Sequence, residues 1–247
     1  MGRREISPRS IAEDPLSYPG PLYPSSFYLE GAELKEWHPS PPQNRVAVLA
    51  IGSNRDPARL LCHLRQTAKE GVYGLRAQIE GCEVVYPAHV SAYGVCTATV
   101  FPAPGSFKGV VHFLTRGQVD ELCAGEDAGE LFDLYELEGV VARSEHFAVK
   151  SPLAFVHRSG PLLFEDGLPR RLERVCVLFS PSSSASLAEA HSRICRLLDE
   201  PFYFPLSSPG PVGQALQGGD IGWHPDLRVN QGSLLERLPE AKLLASN

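Results

Sequence analysis

Gly52-Ser53-Asn54 is the stretch of this sequence best suited to hold a charge. It closes the apolar run Val46-Ala47-Val48-Leu49-Ala50-Ile51. A buried strand that stops at such a tripeptide can turn successive backbone N–H groups into one concavity, which suits an anion or a polarised carbonyl. Gly52 has access to backbone angles closed to residues with a Cβ. The same tripeptide also serves as a plain turn, so alone it marks a place and not a reaction. Other chemistries have less support. Ser53 lies outside any G-x-S-x-G elbow, which argues against a serine hydrolase. Arg55 either meets a substrate carboxylate, as Arg does in bidentate pairs, or stands in solvent. Cys62, Cys82, Cys96, Cys123, Cys176 and Cys195 form no C-x-x-C pair and read as free packing residues. The histidines show no H-x-x-x-H or H-E-x-x-H spacing, so neither a metal nor a cofactor is expected. His112, in a strand, and His191, on a helical stripe, read as structural.

The elements that position these residues follow from pattern. The run ending at Ile51 is too short to cross a membrane and rich in Val, as in a strand buried on both faces. Asp56-Pro57 starts a helix, Asp56 capping and Pro57 in the first turn, with Leu60, Leu61 and Leu64 on its apolar side. Strands are expected at Glu83 to Tyr86, Thr97 to Phe101 and Gly109 to Leu114, with a turn at Pro102 to Ser106. Thr115 with Gln118 forms a capping box for a helix bearing Val119, Leu122 and Cys123, and Glu126 falls at or just past its end. Leu131 to Leu137 alternates as a strand, and the sheet continues through Phe147 to Lys150, Leu153 to Val156 and Arg174 to Phe179. A helix follows at Ser186 to Leu198. Gly and Pro dominate from Pro201, up to a short helix near Ser233 to Leu238.

Composition narrows the classes. The chain has 247 residues, 43% of them hydrophobic, and a formal net charge of -6. Such a chain can bury a core but lacks the basic surface that sequence-independent nucleic-acid binding requires. No stretch approaches a membrane span, and the N-terminus lacks the apolar core of a signal peptide, so a cytoplasmic protein is expected. Three parts are read: residues 1–45, a Pro- and aromatic-rich arm; residues 46–180, the main domain; and residues 181–247, an extension. The arm carries Tyr18, Tyr23, Phe27, Tyr28 and Trp37, enough aromatic surface to lie across the domain or a second copy in a homodimer.

Four features occur in order: the strand into Gly52-Ser53-Asn54 with its following helix, Ala98-Thr99-Val100-Phe101-Pro102-Ala103-Pro104-Gly105-Ser106, Gly109-Val110-Val111-His112-Phe113-Leu114-Thr115, and Val119-Asp120-Glu121-Leu122 with Glu126 beyond. Together they resemble the gamma-glutamylcyclotransferase-like family over roughly residues 46 to 140. The resemblance implies an α+β fold, a mixed β-barrel with flanking helices, to which the two extensions are added. It implies an amide-cleaving cyclotransferase, in which the amine of a gamma-glutamyl amine attacks the substrate's own γ-carbonyl and releases 5-oxoproline. Glu126 is then the general acid/base, and Ile51, Gly52, Ser53 and Asn54 hold the small-molecule substrate. Two departures stand out: Ile51 replaces the family's Tyr, and Glu126-Asp127 replaces its Glu-Gly. A register placing the acid at Glu121 or Glu130 stays open, as does a non-catalytic binding or interaction module on the same fold.

Overall fold

The computed structural model describes residues 4–10, 13–14, 17–37, 39–40, 42–91, 95–126, 128–180, 182–197 and 242–243. Asp127, Leu198, the segment from Pro201 and the expected helix near Ser233 lie outside them. The strands are β1 (Arg4–Glu5), β2 (Phe27–Glu30), β3 (Glu33–Glu36), β4 (Val46–Ala50), β5 (Val72–Val85), β6 (Thr99–Leu114), β7 (Phe132–Glu136), β8 (Val141–Arg143), β9 (Ala148–Lys150), β10 (Leu153–His157), β11 (Arg171–Leu172), β12 (Val177–Phe179), β13 (Ser184–Ala185) and β14 (Lys242–Leu243). The helices are α1 (Pro57–His63), α2 (Arg116–Gly125) and α3 (Leu187–Leu197). No helix among the described residues is long and apolar enough to cross a membrane.

The class is α+β, built on one mixed sheet in the order β1-β3-β2-β5-β6-β4-β10-β7-β14. β4 lies inside this order, antiparallel to β6 and parallel to β10. Its side chains alternate between two cores, as its apolar run requires. Val48 joins Leu60 and Leu61 of α1, Leu64 just past its end, and Val119 and Leu122 of α2. Leu49 joins Leu75, Ile79 and Val111. A seven-residue helix such as α1 is unstable alone, so this packing holds it, each buried leucine contributing about 1.5–3 kcal/mol.

The expected closed barrel is corrected. The hydrogen-bonded path is open, and among the described strands no ladder joins β1 to β14. One edge of β5 is instead shared in turn by β2, β8 and β11, so β8 and β9 branch off the sheet rather than close it. The turn expected at Pro102 to Ser106 is a bulge inside β6. Cys82 pairs with Pro102 and Glu80 with Ser106, leaving Gly81 opposite the extra residues. Gly81 takes φ +93, and a Cβ there would sit 2.7 Å from Gly139 O. Residues between the pairs need no ladder bond, which lets Pro104 sit in the strand.

The N-terminal segment is tied into the sheet through the β2–β3 hairpin, which adds to the start of β5. Phe27 pairs with Gly74, and its ring occupies the space that a side chain at Gly74 would fill. On an open strand, Gly→Ala stabilises by about 0.5–1 kcal/mol. Here we predict the opposite sign: Gly74→Ala lowers stability by about 1–3 kcal/mol in urea unfolding, and Phe27→Leu in the same chain recovers part of the loss. Equal or greater stability of Gly74→Ala contradicts this seating of Phe27.

Candidate active site

β4 and α1 meet at a single tight turn, Ser53–Arg55. Arg55 N–H donates to Gly52 O and Asp56 N–H to Ser53 O, at 3.3 and 3.1 Å. The N–H groups of Gly52, Ser53 and Asn54 have no protein acceptor among the described residues. Asp56 then caps α1, its Oδ1 accepting from Ala58 N at 3.0 Å. Glycine at 52 also leaves space: a Cβ there would stand 2.9 Å from the Tyr18 hydroxyl.

α2 brings the acid. Thr115 and Gln118 form the expected capping box at its start. At its end Glu126 N–H donates to Leu122 O at 3.0 Å, the step that fixes where the glutamate emerges. Asn54 Nδ2 donates to Glu126 Oε1 at 2.6 Å, and His63 Nε2, at the end of α1, lies 3.8 Å from the same oxygen. The Glu126 side chain is 19% exposed. A carboxylate at a helix C-terminus meets the negative end of the dipole, and the Asn54 amide offsets that penalty. Asn54 is itself held from β6: its carbonyl accepts from His112 Nε2 at 2.9 Å. The donor to a carbonyl must be Nε2–H, so His112 is the neutral ε-tautomer. Burial agrees, pushing His112 down to about 4.

These groups share a cavity of about 160 Å³, whose lining includes Ile51, Gly52, Ser53, Asn54 and Glu126. That volume is near the roughly 150 Å³ that admits a benzene-sized guest. One wall is apolar, with Val48, Leu122, Leu131, Phe132 and Phe155; Tyr18, His63, His89, Ser91, Thr97 and His112 supply polar groups. Asn54 Oδ1, His89 Nδ1, Thr97 Oγ1 and His112 Nδ1 are buried without a hydrogen-bond partner. Leaving such an atom unpaired costs about 1–3 kcal/mol, and all four belong to residues that line the cavity.

The other candidates lie elsewhere. Glu121 accepts from Gln66 N, Thr67 N and Thr67 Oγ1, and its carboxyl is held below its ordinary value by those bonds against the opposing effect of desolvation. Glu130 is exposed. Neither lines the cavity. Arg55 meets neither expectation: it is 5% exposed, and its guanidinium donates to Gly20 O and Arg174 O. Burial raises the Cys123 thiol, the opposite of what a reactive thiolate needs. Among the described residues no His, Cys, Asp and Glu cluster could hold a metal. Sequence reasoning missed Tyr18, His63, His89 and Thr97. Thr97 alone had a local signal, lying beside the Ala98-Thr99 motif.

No protein-family model matches this sequence, and no curated protein matches it. Among solved structures the chain is similar to an uncharacterized protein from Homo sapiens, with 13% identity and a TM-score of 0.39, covering 71% of this chain and 88% of that one. It is similar to a gamma-glutamyl cyclotransferase at 13% identity and a TM-score of 0.38, covering 70% and 87%. It is also similar to YkqA from Bacillus subtilis at 14% identity and a TM-score of 0.37, covering 64% of this chain and 49% of that one. Likeness at this level assigns neither family nor activity.

Buried neutral histidines give the site a pH signature. Burial lowers both His89 and His112 from 6.5 to about 4. The unfolded chain therefore takes up protons before the folded one does. Their contribution is fully present above pH 6.5 and is lost as pH falls towards 4. Urea midpoints compared at about pH 7.5 and about pH 5 should fall by an amount corresponding to roughly 2 kcal/mol per histidine. His112→Gln should reduce that drop. An unchanged midpoint across the interval contradicts the buried neutral assignment.

Proposed function

We propose that the cavity binds a gamma-glutamyl amine or related small amide and cleaves it by cyclisation. The observation that carries this reading is the Asn54–Glu126 contact, which brings a lone carboxylate to the turn whose N–H groups lack acceptors. Glu126 is the general acid/base, and Ile51 to Asn54 hold the substrate. The attacking ammonium gives up two protons, and the departing nitrogen receives two and leaves as an ammonium; Glu126 ferries them in turn. Between these transfers the amine nitrogen bonds to the γ-carbonyl carbon, and the bond to the leaving nitrogen breaks. The transient oxyanion is met by the turn N–H groups.

No nucleophilic side chain is needed, because nucleophile and electrophile belong to one molecule. Holding that molecule folded captures part of an effective-molarity gain worth about 7–11 kcal/mol at best. A positioned acid/base adds about 10²–10⁴-fold. The apolar wall suits a carbon chain on the acyl group or the departing amine. Cys62, Cys82, Cys96, Cys123 and Cys176 form no disulfide among the described residues, which suits the reducing cytoplasm.

Incubation with a panel of gamma-glutamyl amides, read by 5-oxoproline release, tests the reaction. Glu126→Gln should lower kcat by about 10²–10⁴-fold while melting like the parent. Asn54→Ala should lower kcat less, with Glu126 retained but no longer oriented. Full activity in a folded Glu126→Gln protein would falsify the role given to this acid. No turnover across the panel, with ligands still bound, favours a binding module instead.

A further inference from the structure

The cavity has one wall from outside the sheet and its helices. Residues Ser17 to Gly20 form a turn, closed by Gly20 N–H donating to Ser17 O at 2.7 Å. Two buried arginines of the segment after β4 grip it. Arg55 donates to Gly20 O from Nε and Nη2, and Arg59 Nη2 donates to Ser17 Oγ at 2.6 Å. Gly20 takes φ +86, which favours glycine, and a Cβ there would come within 3.3 Å of the Arg59 guanidinium.

This grip is costly. Arg55 and Arg59 are 5% and 3% exposed; Arg59 Nε lies 4.0 Å from Asp56 Oδ2, and its Nη1 has no hydrogen-bond partner. Desolvation pushes Arg55 down to about 10 and lowers Arg59 as well. Burying a guanidinium costs several kcal/mol, more than a loop needs for packing alone, where apolar side chains would serve better.

What the grip fixes is Tyr18. Its ring is 7% exposed and lines the cavity. Its hydroxyl stands directly over Gly52, 2.9 Å from where a Cβ would be, and makes no hydrogen bond to a described residue. Desolvation and then the charge of Glu126 raise the phenol well above its ordinary value, with Arg55 and Arg59 opposing, so it stays protonated and able to donate.

We infer that the Tyr18 hydroxyl donates a hydrogen bond to the ligand oxygen held by the Gly52–Ser53 turn, so that the N-terminal segment completes the site. This rests on the proposed amide-cleaving reading for its chemistry, with the oxygen being that of the reacting carbonyl. A donor to that oxygen strengthens as the oxygen becomes an oxyanion.

Tyr18→Phe keeps the ring and removes only the donor. With the best gamma-glutamyl amide of the panel, kcat should fall by roughly 10²-fold while KM changes little, and the melting point should stay that of the parent. Gly52→Ala pushes a methyl into the hydroxyl, so it should impair the parent protein more than it impairs Tyr18→Phe. Unchanged kcat in Tyr18→Phe, alongside an inactive Glu126→Gln, overturns the role of Tyr18 and leaves the acid in place. If the parent protein turns over no amide, a binding readout decides. In protein labelled at tyrosine Cζ with carbon-13, added 5-oxoproline should move the resonance that is missing in Tyr18→Phe. A stationary resonance overturns the inference.

Discussion

The amide of Asn54 is the joint on which the proposed site depends. Its carbonyl is fixed by His112 from the sheet, and its side chain reaches the carboxylate at the end of α2. One residue therefore fixes the turn that ends β4 relative to the helix that carries the acid. Neither contact works without the packing beneath it. Val48, Leu60, Leu122 and their neighbours hold α1 and α2 against one face of the sheet, so each helix end emerges at the same cavity.

Polar burial is what the fold gives up for this arrangement. Arg55, Arg59, His89, His112 and Tyr18 are all buried around the turn and its cavity, and several of their polar atoms lack hydrogen-bond partners. A core optimised for stability would replace them with apolar side chains. Their placement fits the proposed site. The arginines grip the N-terminal turn, that turn holds Tyr18 over Gly52, and His112 holds Asn54. His89 and Thr97 line the same cavity as the acid.

Local rules made part of this legible in the sequence. The apolar run at Val46 to Ile51, the Asp56 cap and the Thr115–Gln118 box are each encoded within a few residues, and so is the emergence of Glu126 one turn beyond Leu122. Contacts between distant segments left no such trace. Tyr18 reaches Gly52 only because Arg55 and Arg59 bind the Ser17–Gly20 turn, and nothing near Tyr18 in the chain announces that. The prolines of β6 read as a turn because their accommodation depends on Gly81 in another strand. Barrel closure was likewise beyond local pattern, since it depends on which strand takes each stretch of the β5 edge.

The most direct test is a crystal structure of Glu126→Gln bound to a gamma-glutamyl amide. The account predicts the ligand carbonyl oxygen about 3 Å from the N–H groups of Gly52 and Ser53, and the scissile nitrogen within hydrogen-bond reach of residue 126. A ligand seated elsewhere, or in this cavity with its amide facing the apolar wall, contradicts it.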